Sequence, residues 1–348
     1  MRFYTKTHKH YCGIDLHARK MYICILDAEG KIVVHRNINC NPAEFLKTIA
    51  PYRENLVVGV ECMFSWYWLY DLCLKEKIEF TLGHALYMKA IHGGKAKTDK
   101  IDSHKIAVLL RGGTFPIAYC YPAEMRATRD LMRRRNYLVR TRAELMAHIQ
   151  NTITQYNLPA INFTLAYESN RNLVLELFSD PEARKIVQLD IAMIDSYDDV
   201  IKKLELDIEK TANKHDKHSL LLLRSIQGVG PILSLVLLYE INDINRFETV
   251  QQFASYCRLV KCSHESAGKK KGTGGGKIGN AHLKWAFSEA AILFMRYNSA
   301  AKTLVENLAK IHGKGKAISI LSHKLARAIY YMLKNNQPFE RDKFFATV

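Results

Sequence analysis

Long hydrophobic runs are missing from this sequence. The most apolar stretch, PILSLVLLY at 231–239, is far too short to cross a bilayer. The opening residues, MRFYTKTHKHYCGID, hold neither the apolar core nor the small-residue cleavage site of a secretory leader. No membrane role is expected, and the setting expected is the cytoplasm. Paired cysteines are missing as well. The eight cysteines lie at 12, 24, 40, 62, 73, 120, 257 and 262, mostly inside apolar runs, and no two form a CxxC. That pattern excludes a disulfide framework and a zinc ribbon and fits buried thiols in a reducing compartment. A phosphate-cradling nucleotide loop is missing too. The glycine run ending Gly276-Lys277 has one residue too few, Ile278 stands where Ser or Thr is needed, and no strand precedes it.

Acidic residues are scarce relative to basic ones. Lys and Arg total 51 against 34 Asp and Glu, a formal charge of +17 over 348 residues. Self-repulsion makes such an excess costly unless a polyanion is the partner, so nucleic acid is the expected ligand. At 48% apolar and 10% aromatic the chain can build real cores, and its length suggests two or three domains. The charge is not evenly spread. Residues 258–334 hold fifteen Lys or Arg against three Glu, and residues 124–142 hold seven Arg against two acids. That is a binding footprint more than a device for solubility.

The pattern along the chain changes twice. YCGIDLH, MYICILD and KIVVHRNI alternate as three strands, Asn41-Pro42-Ala43-Glu44 opens a short helix, and LVVGVE (56–61) reads as a buried strand. An aromatic helix (65–76), a fifth strand (78–83) and a helix over 97–111 entered through a capping aspartate follow. Trp66, Tyr67, Trp68 and Tyr70 read as helix packed on sheet. Beyond Pro122 the strand signal fades. Residues 123–157 and a helix from Pro181 carry apolar stripes, the second at Ile186, Leu189, Met193, Tyr197, Val200, Leu204 and Ile208. Such helices form an antiparallel hairpin or a dimer coiled coil. Near His218 a third region starts: a helix, the IQGVGP turn and a second helix over 221–241, a basic glycine-rich loop over 261–280, then helices at 281–297, 299–311 and 316–334. The expected partition is 1–118, 119–215 and 216–348.

Four carboxylates in the first region stand out by position. Asp15 sits in the first strand and Glu61 at the end of the fourth, while Asp99 and Asp102 are three apart at a helix start and share a side. Acids converging in this way repel unless a hard dication lies among them, and Mg²⁺ suits carboxylate oxygens while keeping waters for a phosphate substrate. Each also has an ordinary explanation as a cap, a helix-dipole partner or a strand-end residue. His17 and His104 lie near these acids and read first as solvated or capping side chains. In KCSHESAGKKKGTGGGKIGN a serine beside lysines could attack phosphorus, though only with a base, metal or charge clamp to help. Gly228 and Gly230 could turn backbone N–H groups outward as an anion nest, or make a tight helix–helix turn.

Taken in order, GID (13–15), VE (60–61), KTDxxD (97–102), GVGP (228–231) and ESAGKKKG (265–272) resemble one family along essentially the whole chain. These motifs resemble the DEDD-type insertion-sequence transposases, the bridge-RNA-guided recombinases related to the pilin-gene invertase. The resemblance implies an α/β RNase H-like (RuvC-like) N-terminal domain and a long helical or coiled-coil middle segment. It further implies a mainly α C-terminal domain with a helix-hairpin-helix-like element. It implies Asp15, Glu61, Asp99 and Asp102 as ligands of Mg²⁺ or Mn²⁺, and Ser266 as the nucleophile that forms a phosphoserine link to DNA. It implies a guide (bridge) RNA, target and donor DNA, and dimers that assemble into tetramers in a bacterial, nucleoid-associated setting. Arg133, Arg134, Arg135, Gly228, Gly230, Lys269, Lys270, Lys271 and Lys277 are the expected nucleic-acid contacts. Two departures stand out: Ala267 replaces the usual glycine after the serine, with Ser263 a second candidate nucleophile, and Cys62-Met63-Phe64 replaces a small glycine-containing turn. Three other readings compete: a metal-dependent junction nuclease in which water attacks, a non-catalytic nucleic-acid scaffold, and an actin-like ATPase. The last needs a second Asp-Gly phosphate motif and a GG after a strand, neither of which is present.

Overall fold

The computed structural model describes residues 2–91, 98–274 and 278–346. The chain forms two compact units, 1–123 and 124–348. The first runs β1 (Phe3–Tyr4), β2 (His10–Leu16), β3 (Lys20–Asp27), β4 (Ile32–Asn39), α1 (Pro42–Ile49), β5 (Leu56–Glu61), α2 (Tyr67–Lys75), β6 (Glu79–Gly83), α3 (Ala85–Ile91), α4 (Asp99–Arg111) and β7 (Phe115–Ala118). The strands make one sheet in the order β1-β7-β6-β5-β2-β3-β4. β2, β3 and β4 form an antiparallel meander, and β5 and β6 are added parallel to β2. This is the expected RNase H-like layer, extended at one edge by two short strands, β7 and β1, that alternation alone did not mark.

Period-two alternation sorts β2 and β5 onto two faces. Cys12, Ile14, Leu16, Val58 and Val60 pack with Phe45 and Ile49 of α1 and Leu69 and Cys73 of α2. Tyr11 and Val57 point the other way and pack with Ile106, Leu109 and Leu110 of α4. Burial on both faces explains why these strands read as near-continuous apolar runs. Asn41 caps α1 by accepting from the amides of Ala43 and Glu44, with Pro42 in the first turn. The cap of α4 is Thr98, which accepts from the Ile101 amide. The expected capping role of Asp99 is therefore corrected: Asp99 is the first helical residue, and its carboxylate is left to face outward from the helix start.

The second unit is helical: α5 (Ala123–Gln155), α6 (Glu168–Leu175), α7 (Pro181–His215), α8 (Lys217–Arg224), α9 (Pro231–Ile241) and α10 (Val250–Tyr256). The hairpin β8 (Cys262–Ser266) and β9 (Lys269–Gly274) follows, then α11 (Ala281–Tyr297), α12 (Ser299–His312), α13 (Lys314–Asn335) and α14 (Arg341–Ala346). α5 and α7 run antiparallel, joined by Arg135–Glu205, Arg142–Asp198 and His148–Asp190. As one residue number rises the other falls by a similar step, a ladder only antiparallel helices can build. The apolar stripe read on α7 is largely open over its first half. Ile186, Leu189, Met193 and Val200 are exposed, while Val187, Ile191, Ile194 and Ile201 are buried. This half of α7 is apolar on two sides, and periodicity could not say which side the neighbours cover. Arg171 of α6 is almost wholly buried and is held by Asp195 and Asp198 of α7. The expected glycine-rich loop is also corrected, because most of it is the β8–β9 hairpin.

Candidate active site

Two glycines create the first cluster. Gly13 of β2 and Gly59 of β5 are paired side by side in the sheet. A Cβ on Gly13 would lie 2.3 Å from both the Ala107 nitrogen and the Ser103 oxygen, and one on Gly59 would lie 2.6 Å from Leu110 Cδ1. α4 therefore sits directly on the strand backbones, closer than any side chain would permit. Two residues further along each strand, on the same face, are Asp15 and Glu61. They lie one step past the last registered pair, Ile14–Val60, so neighbouring strands about 4.8 Å apart present them together. The start of α4, carrying Asp99 and Asp102, overhangs the same end.

His17 joins the cluster. Its Nε2 lies 3.4 Å from Asp15 Oδ2 and 3.4 Å from Asp99 Oδ1. One ligand atom from each of Asp15, His17 and Asp99 can be chosen so that all lie within 4.8 Å of one another. Burial raises the Asp15 carboxyl above its usual value; the His17 ring opposes the rise, and the charges of Asp99 and Asp102 add to it. A dication would relieve both the repulsion and the desolvation. Lys105 Nζ lies 3.5 Å from Asp102 Oδ1. His104 turns elsewhere, against the His35 ring, whose Nε2 bonds the Lys100 carbonyl. Glu61 is half-buried at the sheet end.

The serine candidate lies in the other unit, at the end of β8. Ser266 pairs with Lys269 across a two-residue turn in which Ala267 and Gly268 have φ of 53° and 72°. Positive φ at both turn positions matches the twist of a tight hairpin and favours glycine. Ala267 is therefore strained at the first of these positions, where a glycine would not be. Ser266 is exposed, as are Lys269 and Lys271. The side chains of Ser263 and Lys270, and all of Lys277, fall outside the described residues, as does Lys97 of the KTDxxD motif.

The arginine run has several fates. Arg133 donates to both oxygens of Glu240 at 2.7 and 3.0 Å, and Arg135 is paired with Glu205. Arg134 lies over the Tyr137 ring at 4.9 Å. Glu240 was hidden from pattern reading because it lies in the most apolar helix of the chain. It is 2% exposed and also accepts from Arg129 at 3.1 Å and from Asn280 Nδ2 at 2.7 Å. A single acid within an apolar run was the available signal. Asn280 in turn caps α11, accepting from His282 and Leu283 amides. Glu240 thus ties the Arg-rich helix to the segment that follows the serine hairpin. Gly228, at φ 88°, brings its backbone against α11, where a Cβ would meet the Phe294 nitrogen at 2.7 Å. Gly230 has open space around it at the start of α9.

Comparison with known proteins matches both units. A DEDD-type transposase domain of the IS110 kind, described simply as a transposase, matches residues 12–158. The domain described as transposase IS116/IS110/IS902 family matches residues 220–306. The chain is 22% identical over 334 residues to the transposase for insertion sequence element IS1111A of Coxiella burnetii, covering 94% of this chain and 90% of that one. It is 22% identical over 339 residues to a probable family 20 transposase of Pseudomonas aeruginosa, covering 92% and 96%. It is 23% identical over 352 residues to the transposase for IS1533 of Leptospira borgpetersenii, covering 95% and 97%. A DEDD domain implies use of a divalent metal, and the donor set of carboxylates beside an imidazole fits one. No helix among the described residues is long and apolar enough to cross a membrane. With the two domains in succession and full-length relatives of the same kind, the chain belongs to the IS110 family of insertion-sequence transposases, enzymes of DNA recombination.

Proposed function

We propose that this transposase cuts and rejoins DNA through a covalent link between Ser266 and a DNA phosphate. In this reading Asp15, Glu61, Asp99 and Asp102 hold the Mg²⁺ or Mn²⁺ that assists the reaction. The observation that carries it is the exposed serine at a tight, lysine-flanked hairpin tip, in a chain whose other unit gathers acids at one sheet end. Ser266 Oγ bonds to phosphorus, its proton passes to solvent, and the P–O bond to one deoxyribose breaks, that oxygen leaving as a hydroxyl. The freed hydroxyl of a second strand then attacks the phosphoserine, restoring Ser266. The phosphodiester energy is conserved throughout, so no nucleotide is consumed. A cation at the acid cluster would supply charge neutralisation on the phosphate oxygens. Lys269, Lys270, Lys271 and Lys277 grip flanking phosphates, and Arg133, Arg134, Arg135, Gly228 and Gly230 are further nucleic-acid contacts.

The same reading gives residues 1–118 the acids, 119–215 the helical spacer and 216–348 the serine. It assigns choice of target and donor DNA to a bridge RNA that pairs with both, as in the bridge-RNA-guided recombinases that the motifs resemble. It assigns catalysis to dimers joined as tetramers on the bacterial nucleoid, acids from one copy meeting the serine of another. The test is adduct trapping with end-labelled element DNA. Ser266→Ala should abolish the covalent protein–DNA species while nucleic-acid binding persists. Adducts at wild-type level would overturn the assignment. Strand cleavage without any adduct in the wild type would make the protein a hydrolytic nuclease. Binding without cleavage would make it a scaffold.

A further inference from the structure

We propose that His17 is itself a ligand of the cation at the acid cluster, making the site a mixed nitrogen and oxygen site that favours Mn²⁺ over Mg²⁺. The inference rests on the reading of that cluster as a metal site and adds a residue outside the four acids. Its first support is spacing. The His17 Nε2 stands 3.4 Å from carboxylate oxygens on two different elements, β2 and α4. That is longer than the usual ~2.7–3.2 Å of a formed N–H···O hydrogen bond. It is close to the separation of neighbouring ligands around one octahedral ion, about 3.0 Å for metal–oxygen bonds of about 2.1 Å. The chosen atoms of the three residues, all within 4.8 Å of one another, fit opposite or adjacent corners of such a shell.

The second support is that the backbone of His17 is fixed before any ligand arrives. Its amide donates to the Lys20 carbonyl at 3.0 Å, and its own carbonyl accepts from the Cys40 thiol at 3.3 Å. Next to it, the Leu16 carbonyl accepts from Ser65 Oγ at 3.2 Å. The ring is thus carried on a braced strand end, with half of its side chain open to solvent. Local order of this kind serves a ligand, whose donor atom must be in place, better than it serves a mobile surface histidine.

The consequence is chemical selectivity. Carboxylate oxygens alone suit Mg²⁺, whereas imidazole nitrogen suits later divalent metals, and Mn²⁺ accepts both. Even an outer-shell partner is worth about 10–100-fold in metal affinity, so loss of a direct nitrogen ligand should cost Mn²⁺ at least about tenfold. Mg²⁺ should lose much less.

The experiment is Mn²⁺ titration of the full chain by electron paramagnetic resonance, with pulsed detection of nitrogen coupled to the bound ion. The wild type, His17→Gln, His17→Ala and Asp15→Asn are compared, with far-ultraviolet circular dichroism to confirm folding. The expected result is ¹⁴N coupling of imidazole type in the wild type, its loss in both His17 variants, and Mn²⁺ affinity at least tenfold weaker in them. Mg²⁺ competition should shift less than about threefold. Stoichiometric Mn²⁺ binding without nitrogen coupling, or coupling that persists in both variants, would overturn the role of His17 and leave the acid site standing. Failure of the wild type to bind Mn²⁺, or equal binding by Asp15→Asn, would instead overturn the metal reading itself. The wild-type spectrum decides on its own even if one variant does not fold.

Discussion

Replacing Glu240 by Gln should destabilise the helical unit by about 3 kcal/mol at neutral pH. The carboxylate is almost fully buried among Arg129, Arg133 and Asn280. Burial alone would raise its pKa, but the Arg133 hydrogen bond, the charges of Arg129 and Arg133, and the Asn280 bond outweigh that and bring it down from 4.5 to about 2. That depression corresponds to about 3 kcal/mol of stability at neutral pH. Breaking a buried pair from one side costs about 3–5 kcal/mol by a separate route, because it strands the partner charge. Here the guanidinium that loses a buried carboxylate is mainly Arg129, whose side chain is 9% exposed, since Arg133 is more open at 37%. The two routes agree, and the loss is a large share of a typical ~5–15 kcal/mol.

The sign with pH follows from the depressed pKa. The contribution is complete above the unfolded value near 4.5 and fades as pH falls toward about 2. The gap between wild type and Glu240→Gln should therefore shrink from about 3 kcal/mol at pH 7 to about half that at pH 3. Hydrogen exchange of peptides from α9 and α11, each referenced to its unfolded peptide, reads this unit without interference from the other. Exchange roughly 150-fold faster in the variant at pH 7 is expected, since about 1.4 kcal/mol is a factor of ten. A gap under 1 kcal/mol at pH 7, or one that is the same at pH 3, would refute the account.

Gly13→Ala should lower the melting temperature of the first unit sharply and weaken Mn²⁺ binding, because the new Cβ meets the α4 backbone at 2.3 Å; unchanged melting would mean that α4 sits further out. Ala267→Gly should relieve a left-handed residue worth about 1–2 kcal/mol, partly offset by glycine entropy. Exchange of the Ser266 and Lys269 amides should slow by up to about fivefold with adduct formation retained, and faster exchange would contradict the turn geometry. Affinity for duplex DNA should fall about a hundredfold or more between 50 and 200 mM salt, as four or more neutralised phosphates require. A nearly flat dependence would mean that the +17 charge serves something else.

In the first unit β2 to β6 were legible because each is either alternating or buried on both faces, and α1, α2 and α4 from their apolar faces and the breaks that bound them, whereas the short β1, β7 and α3 carry no such signal. What pattern could not give was which face Gly13 and Gly59 occupy, since that depends on strands 46 residues apart lying in register. The four acids were legible as strand-end and helix-start residues, and His17 as a histidine near them, but its approach to Asp99 was not, because proximity in sequence to Asp15 says nothing about Asp99. The hairpin was missed for a different reason. KKKGTG has none of the β-branched or aromatic density that marks a strand, apart from one threonine. Arg133 and Arg135 read as a phosphate-binding run, and their internal partners, Glu240 and Glu205, lie 107 and 70 residues away.

The β8–β9 ribbon also has a mechanical side. Five residues of strand reach about 17 Å at ~3.4 Å each, and a Cβ at Gly268 or Gly272 would touch nothing within 4 Å. Ser266 is therefore carried at the end of a slender arm, where small rotations at the root are magnified. A tilt of about 10° over that length would sweep the hydroxyl through about 3 Å, comparable to the ~3–3.5 Å separation at which a nucleophile becomes reactive. Under the serine chemistry proposed above, braking that swing by stiffening the root of the ribbon would alter the timing of strand exchange without touching an atom of the reacting groups.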